Sequence, residues 1–271
     1  MSGGVWKNGR MQTTSYPSDL TDAQWAPLEL MLPKNQTAGP PRRPRPATLF
    51  NAILCVLRGG IPGRFVPKDY GPWQTVHGKF RRWKKTGWWK TPNDGLRSLV
   101  RIARGRRARP TACILDSQTA RSADHGGEAG YDAAKKTRGR KRHLLVDTMG
   151  LLLGIWLTPA STPVRAGAQG RPGRGLPWFA WLRIMRVDGG DAGPDFAAWV
   201  RTLRPKLAVE AVRRCDDVQG FKVLPRRWVV ERTFGWLMKQ RRLVRDYEQT
   251  ETSATAMVHP ATIHIMLRRL A

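Results

Sequence analysis

Apolar residues along the first hundred positions recur at helical spacing. In "LTDAQWAPLELMLP" Thr21 stands three residues before Gln24, the reciprocal pattern of a capping box. Trp25, Leu28 and Leu32 then share one stripe, and Pro33 closes the segment. A second stripe in "ATLFNAILCVLRGG" runs through Leu49, Ile53 and Leu57 and stops at Gly59 and Gly60. A third, "WQTVHGKFRRWKKTGWWK", carries Trp73, Phe80 and Trp83; a fourth, "DGLRSLVRIARGRRARP", carries Leu96, Leu99 and Ile102. Between the first two, "KNQTAGPPRRPRP" reads as a basic, proline-rich linker. Residues 1–105 are therefore expected to form an all-helical N-terminal domain.

From Pro110 the period changes. "TACILDS", "KRHLLVDT" and "LLLGIWLT" are short apolar runs, the last two joined by Met149-Gly150 as in a hairpin. Residues 162–177, rich in Gly, Pro and Arg, lack helical period. "LRIMRVDGGDAG" reads as a strand ending in Asp188, "PDFAAWVRTLRP" as a helix and "LAVEAVRR" as a strand. "RRWVVERTFGWLMKQRRLVRDY" predicts one long helix, and 252–270 a last helix that Pro260 should bend or shorten. Residues 106–271 are thus expected to be an α/β domain, a mixed sheet with packed helices.

Charge adds a partner. The 271 residues include 48 lysines and arginines against 20 acids, a formal charge of +28, while 41% hydrophobic residues allow a real core. A folded chain so basic is expected to bind a polyanion, nucleic acid being the commonest. Cys55, Cys113 and Cys215 are far apart and odd in number, and the five histidines have no ligand spacing, so neither a disulfide framework nor a zinc site is expected. With no signal-peptide apolar core at the N-terminus and no bilayer-length apolar run, a cytoplasmic protein is the expectation.

In this setting the acids stand out. Asp116 and Asp188 each end a strand-like run and precede small residues, and Glu231 lies on a helix whose other charges are basic. Strand ends often line the ligand crevice of a mixed sheet. Carboxylates converging there repel one another unless a hard cation sits among them, which makes them candidate ligands of Mg²⁺ or Mn²⁺. Equally, a strand-end Asp is an ordinary turn former and a Glu among arginines an ordinary ion pair.

The ordered segments "YPSDLTDAQWAPLELMLP", "LFNAILCVLRGG", "PWQTVHGKFRRWKKTGWW", "ILDSQTA", "GYDAAKKTRGRKRHLLVDTMGLLL", "VDGGDAG" and "LPRRWVVERTFGWLMKQRRLVRDYE" resemble bacterial insertion-sequence transposases of the DDE class, insertion-sequence-5 group. The resemblance implies a ribonuclease-H-like catalytic domain. It also implies a catalytic and metal-binding triad, Asp116, Asp188 and Glu231, on two Mg²⁺ or Mn²⁺ ions. It implies metal-dependent cleavage at element ends and strand transfer into target DNA. The partners would be double-stranded terminal inverted repeats and target DNA, bound by a homo-oligomer that is a dimer in the complex. The N-terminal helices would bind DNA or dimerise. Arg227, four residues before Glu231, and Lys239, one place beyond the usual spacing, match the family's glutamate motif. The loop basics Lys135, Lys136, Arg138, Arg140, Lys141 and Arg142 suit a DNA backbone. Departures from the group are Asp191 and Leu224 at places where it usually has Tyr, Gly63 where Trp is common, and the whole of 162–177. They raise an alternative: a catalytically decayed copy that binds the ends and represses the element. A related nuclease or resolvase is a further reading.

Overall fold

A computed structural model describes residues 6–7, 10–11, 16–33, 44–124, 127–169, 179–189, 193–212 and 228–270. A two-strand ribbon, β1 (Trp6–Lys7) with β2 (Arg10–Met11), precedes the helices, which the all-helical expectation had not included. Helix α1 (Asp22–Glu29) starts on the capping box: Gln24 N–H donates to Thr21 Oγ1 at 3.2 Å and Thr21 N–H to Gln24 Oε1 at 3.1 Å. Helix α2 (Pro46–Gly59) ends where Gly60 turns left-handed, φ 69°, a conformation that favours glycine. Helices α3 (Trp73–Lys85) and α4 (Lys90–Ala103) follow.

The stripe expected on α4 is corrected. Leu96 is buried, but Leu99 and Ile102 are 42% and 58% exposed. The inward face is instead Asn93, Leu96, Arg97, Val100 and Arg101. Two arginines can turn inward because acceptors wait there. Arg97 Nη1 donates to the Leu152 carbonyl at 3.0 Å, and Arg101 pairs with the fully buried Asp147. Asp147 also accepts the Met149 and Leu151 amides at 2.8 and 2.9 Å, shaping the expected hairpin turn with Gly150 at φ 79°.

The sheet contains β3 (Ala112–Arg121), β4 (Gly130–Asp132), β5 (Thr137–Asp147), β6 (Leu152–Pro159), β7 (Ile184–Asp188) and β8 (Ala208–Val212). Its order is β4-β5-β3-β7-β8, with β6 also on β5. The β3, β5 and β6 pairings are antiparallel; β7 runs parallel to β3 and to β8. Helix α5 (Val164–Gln169) leads out of β6, so part of 162–177 is helical after all; 170–177 lies outside the described residues. Helix α6 (Pro194–Leu203) crosses from β7 to β8. This is a mixed α/β architecture consistent with a ribonuclease-H-like DDE domain, preceded by helices.

Strand alternation divides the core into two layers. Cys113, Leu115, Leu145, Met185 and Val187 face one side and pack with Phe196 and Val200 of α6. Ile114, Leu144 and Val146 face the other and join a core containing the N-terminal helices, α7 (Trp228–Met238) and α9 (Glu251–Leu270). The long helix expected from 226 breaks at Lys239 and Gln240 into α7 and α8 (Arg241–Val244). Leu237 and Leu243 are both buried. Six residues of continuous helix would put them roughly 120° apart around the axis, so the break lets both face the core. Conversely α9 runs unshortened through Pro260. The lost hydrogen bond is outweighed by burial of Met257, Ala261, Met266 and Leu267 around it.

Candidate active site

The pairing of β3 with β7 sets Ala112 opposite Ile184, Cys113 opposite Met185 and Ile114 opposite Arg186. That ladder ends at Ile114 and Arg186; Asp116 and Asp188 stand two residues further along their strands. Both then share the sheet face of Ile114 and Leu144, the face covered by α7. Each Asp accepts the next amide at 2.7 Å, from Ser117 and Gly189; Asp188 ends β7, but Asp116, expected at a strand end, lies in mid-strand because β3 runs on to Arg121 against β5. Both residues are half-buried.

A water-sized crevice of about 10 Å³ joins Asp116, Asp188, Arg186, Val212 and, from α7, Val230. Glu231 follows Val230 and is exposed. Its helix is anchored on the β5–β6 turn: Thr233 Oγ1 donates to the Gly150 carbonyl at 2.9 Å and Arg232 to the Met149 carbonyl at 3.1 Å. The Arg232 guanidinium lies 4.2 and 4.5 Å from the centres of the Trp228 and Trp236 rings. A cation between two indole faces, tied to a turn, fixes the rotation of α7.

The acid pair has the right donor chemistry for a hard divalent ion: carboxylate oxygens on two adjacent strands. The three acids expected to act together are not brought equally close. Among the described residues no group of three His, Cys, Asp or Glu side chains is placed to hold a metal. Asp116 and Asp188 are joined by one crevice, and Glu231 stands on the element that closes it.

The basic residues divide more sharply. Lys135, Lys136 and Arg138 are exposed at the tip of the β4–β5 hairpin, with Lys136 at φ 48°. Arg140 and Arg142, expected with them at the DNA, are buried, a correction to the reading of a continuous basic surface. Arg140 donates to the carbonyls of Glu128 and Gln249, both at 2.9 Å, and pairs with Asp246 at 3.1 Å. Arg142 donates to the Leu243 and Arg245 carbonyls. Strand alternation puts both on one face, where the segment after α8 offers them acceptors. Lys141 is half-buried, its Nζ 2.9 Å from the Thr162 carbonyl. Lys239 is exposed just after α7; Arg227, Asp191 and Leu224 lie outside the described residues.

Arg186 and Glu210 were missed by the sequence reading. Arg186 Nη2 pairs with Glu210 at 2.8 Å, while its buried Nη1 has no hydrogen-bond partner. The signal was available: in a strand, the residue two before Asp188 must share its face.

Two family models match the chain. "Putative transposase of IS4/5 family" covers residues 20–92, and "Transposase DDE domain" covers residues 107–266, more than half of the sequence. The chain belongs to the DDE transposases, of the IS4/5 type. No curated protein and no solved structure matches it.

Proposed function

We propose that this transposase cuts phosphodiester bonds at the ends of its element and transfers the freed strand to target DNA. The observation that carries the reading is the crevice lined together by Asp116, in the middle of β3, and Asp188, at the end of the parallel β7. In this reading Asp116, Asp188 and Glu231 hold Mg²⁺ or Mn²⁺. The bound ions supply a nucleophilic water or hydroxyl and stabilise the leaving oxygen. Strands β3 and β7 fix two of the carboxylates, and α7 carries the third. Lys135, Lys136, Arg138, Lys239 and Arg227 bind phosphates, and residues 1–105 recognise the terminal repeats or contact a second copy.

Nicking of duplexes carrying the inverted repeats, with Mg²⁺ and with Mn²⁺, tests this. Cutting at the repeat ends is expected. The exposed position of Glu231 favours one second reading, a copy that occupies the ends and represses the element. Specific binding without cutting in either metal would establish that reading instead.

A further inference from the structure

Among helices α1 to α4, α3 is the one that turns a row of cations to solvent and holds no acid. Helix α1 holds Asp22 and Glu29, α2 a single half-buried arginine, and α4 carries Asp94 and turns Arg97 and Arg101 inward. In α3, Val76, Phe80 and Trp83 are buried. At about 100° per residue, the opposite arc holds Gln74, Thr75, Gly78, Arg81, Arg82 and Lys85, all exposed. Lys84, at the boundary, donates to Ser253 of α9 at 2.8 Å, which fixes the rotation of α3 about its axis. A side chain begun at Gly78, in the centre of the arc, would meet nothing within 4 Å, so no described residue lies over that point.

This face differs in kind from the tip of the β4–β5 hairpin. Lys135, Lys136 and Arg138 suit phosphates, contacts that carry no sequence information. On α3 the amide of Gln74 and the guanidinium of Arg81 are groups that form paired hydrogen bonds with base edges, Gln with adenine and Arg with guanine. They are seven positions apart and so share one flank of the helix. Their separation along the axis is about 10.5 Å, close to three base steps of about 3.4 Å. A helix roughly 10–12 Å across with its side chains fits a major groove about 12 Å wide. Resting on the reading above that residues 1–105 recognise the element ends, we propose that α3 is the helix that enters the major groove there. Gln74 and Arg81 read base edges, and Arg82 and Lys85 hold the flanking phosphates.

The test is selection of bound duplexes from a random pool by the full chain in EDTA, so that cutting plays no part, with circular dichroism to check folding. The unaltered chain should enrich one motif. Arg81→Lys keeps the charge but loses the planar fork. It should lose about tenfold or more of the preference at one base pair and leave the salt dependence of binding unchanged. Gln74→Ala should do the same at a second base pair, about three steps away. Arg82→Ala combined with Lys85→Ala should keep the motif and lower the salt slope by about 1.8, two contacts at about 0.9 each. A motif that is unaltered in Arg81→Lys or in Gln74→Ala overturns the inference, whatever happens to overall affinity, and leaves the reading beneath it standing. Failure of the unaltered chain to enrich any motif overturns that reading, and the inference falls with it.

Discussion

The β4–β5 hairpin carries six basic residues between 135 and 142, and its two ends use them in opposite ways. At the tip, Lys135, Lys136 and Arg138 are exposed. At the base, Arg140 and Arg142 are buried and spend their donors on four main-chain carbonyls and Asp246. Burial depresses the Arg142 pKa, which the Asp246 charge partly offsets. In a chain of charge +28 a lysine or arginine is not by itself a DNA contact. Only the tip can neutralise phosphates; the base fastens the sheet to the segment between α8 and α9.

The sharpest break in this comparison is at the base. Arg140→Ala leaves the Asp246 carboxylate, 2% exposed, buried without its ion-pair partner. A loss of about 3–5 kcal/mol in urea denaturation is expected, with unaltered DNA affinity for the fraction that remains folded. A loss below 1 kcal/mol would mean that the base is no more structural than the tip.

At the tip, the expected effect is on DNA. Replacing Lys135, Lys136 and Arg138 together by Ala should reduce the salt dependence of binding by about 2.7 in log K against log salt, since each phosphate contact contributes about 0.9. Stability should stay within about 0.5 kcal/mol of the parent. An unchanged slope in filter binding would make the tip an ordinary solvated turn.

His143, beside Arg142, extends the comparison to pH. It is fully buried, stacked on Trp156 with ring centres 5.3 Å apart, and its Nε2 lies 2.9 Å from Thr158 Oγ1. Burial lowers its pKa to about 3, with Lys141 adding to the shift. In the unfolded chain the value is about 6.5. Between these values the unfolded state binds the extra proton, so this stability is present above pH 6.5 and is lost as pH falls towards 3. Tm should drop by several degrees between pH 7 and pH 4.5. His143→Gln should reduce that drop, though His259 and His264, both lowered to about 4 by burial, will keep part of it. A pH profile unaffected by His143→Gln contradicts this assignment.

The smallest expected effect is at Lys136, whose φ of 48° strains a side-chain-bearing residue. Lys136→Gly should stabilise the fold by up to about 1 kcal/mol and still lower the salt slope by about 0.9. Charge and backbone would then be seen to act separately at one residue.

What the sequence disclosed follows from how local its causes are. The Thr21–Gln24 cap, the Gly60 stop and the Met149-Gly150 turn depend on neighbours within a few residues, and each was legible. The strand-end position of Asp188 was legible for the same reason; that of Asp116 was misread, because pairing with β5 carries β3 on to Arg121, and the crevice the two acids share across 72 residues was not legible. The inward turn of Arg97 and Arg101 needed acceptors on β6 and the β5–β6 turn, so periodicity chose Leu99 and Ile102 instead. Arg140 and Arg142 were misread because Asp246 and the carbonyls that bury them lie a hundred residues away. Pro260 misled in the other direction, since a local rule was overridden by packing all round α9.

The central claim is that the Asp116–Asp188 crevice does chemistry on DNA which the basic surface only holds. Asp116→Asn keeps the side chain's size and removes its charge. Cleavage of end-bearing duplex by this variant, set beside unaltered protein at equal DNA occupancy, is the most direct measurement. The account predicts that Mg²⁺-dependent cutting by the unaltered protein disappears in Asp116→Asn while DNA binding is kept or tightened. Equal cutting by the two proteins would contradict it.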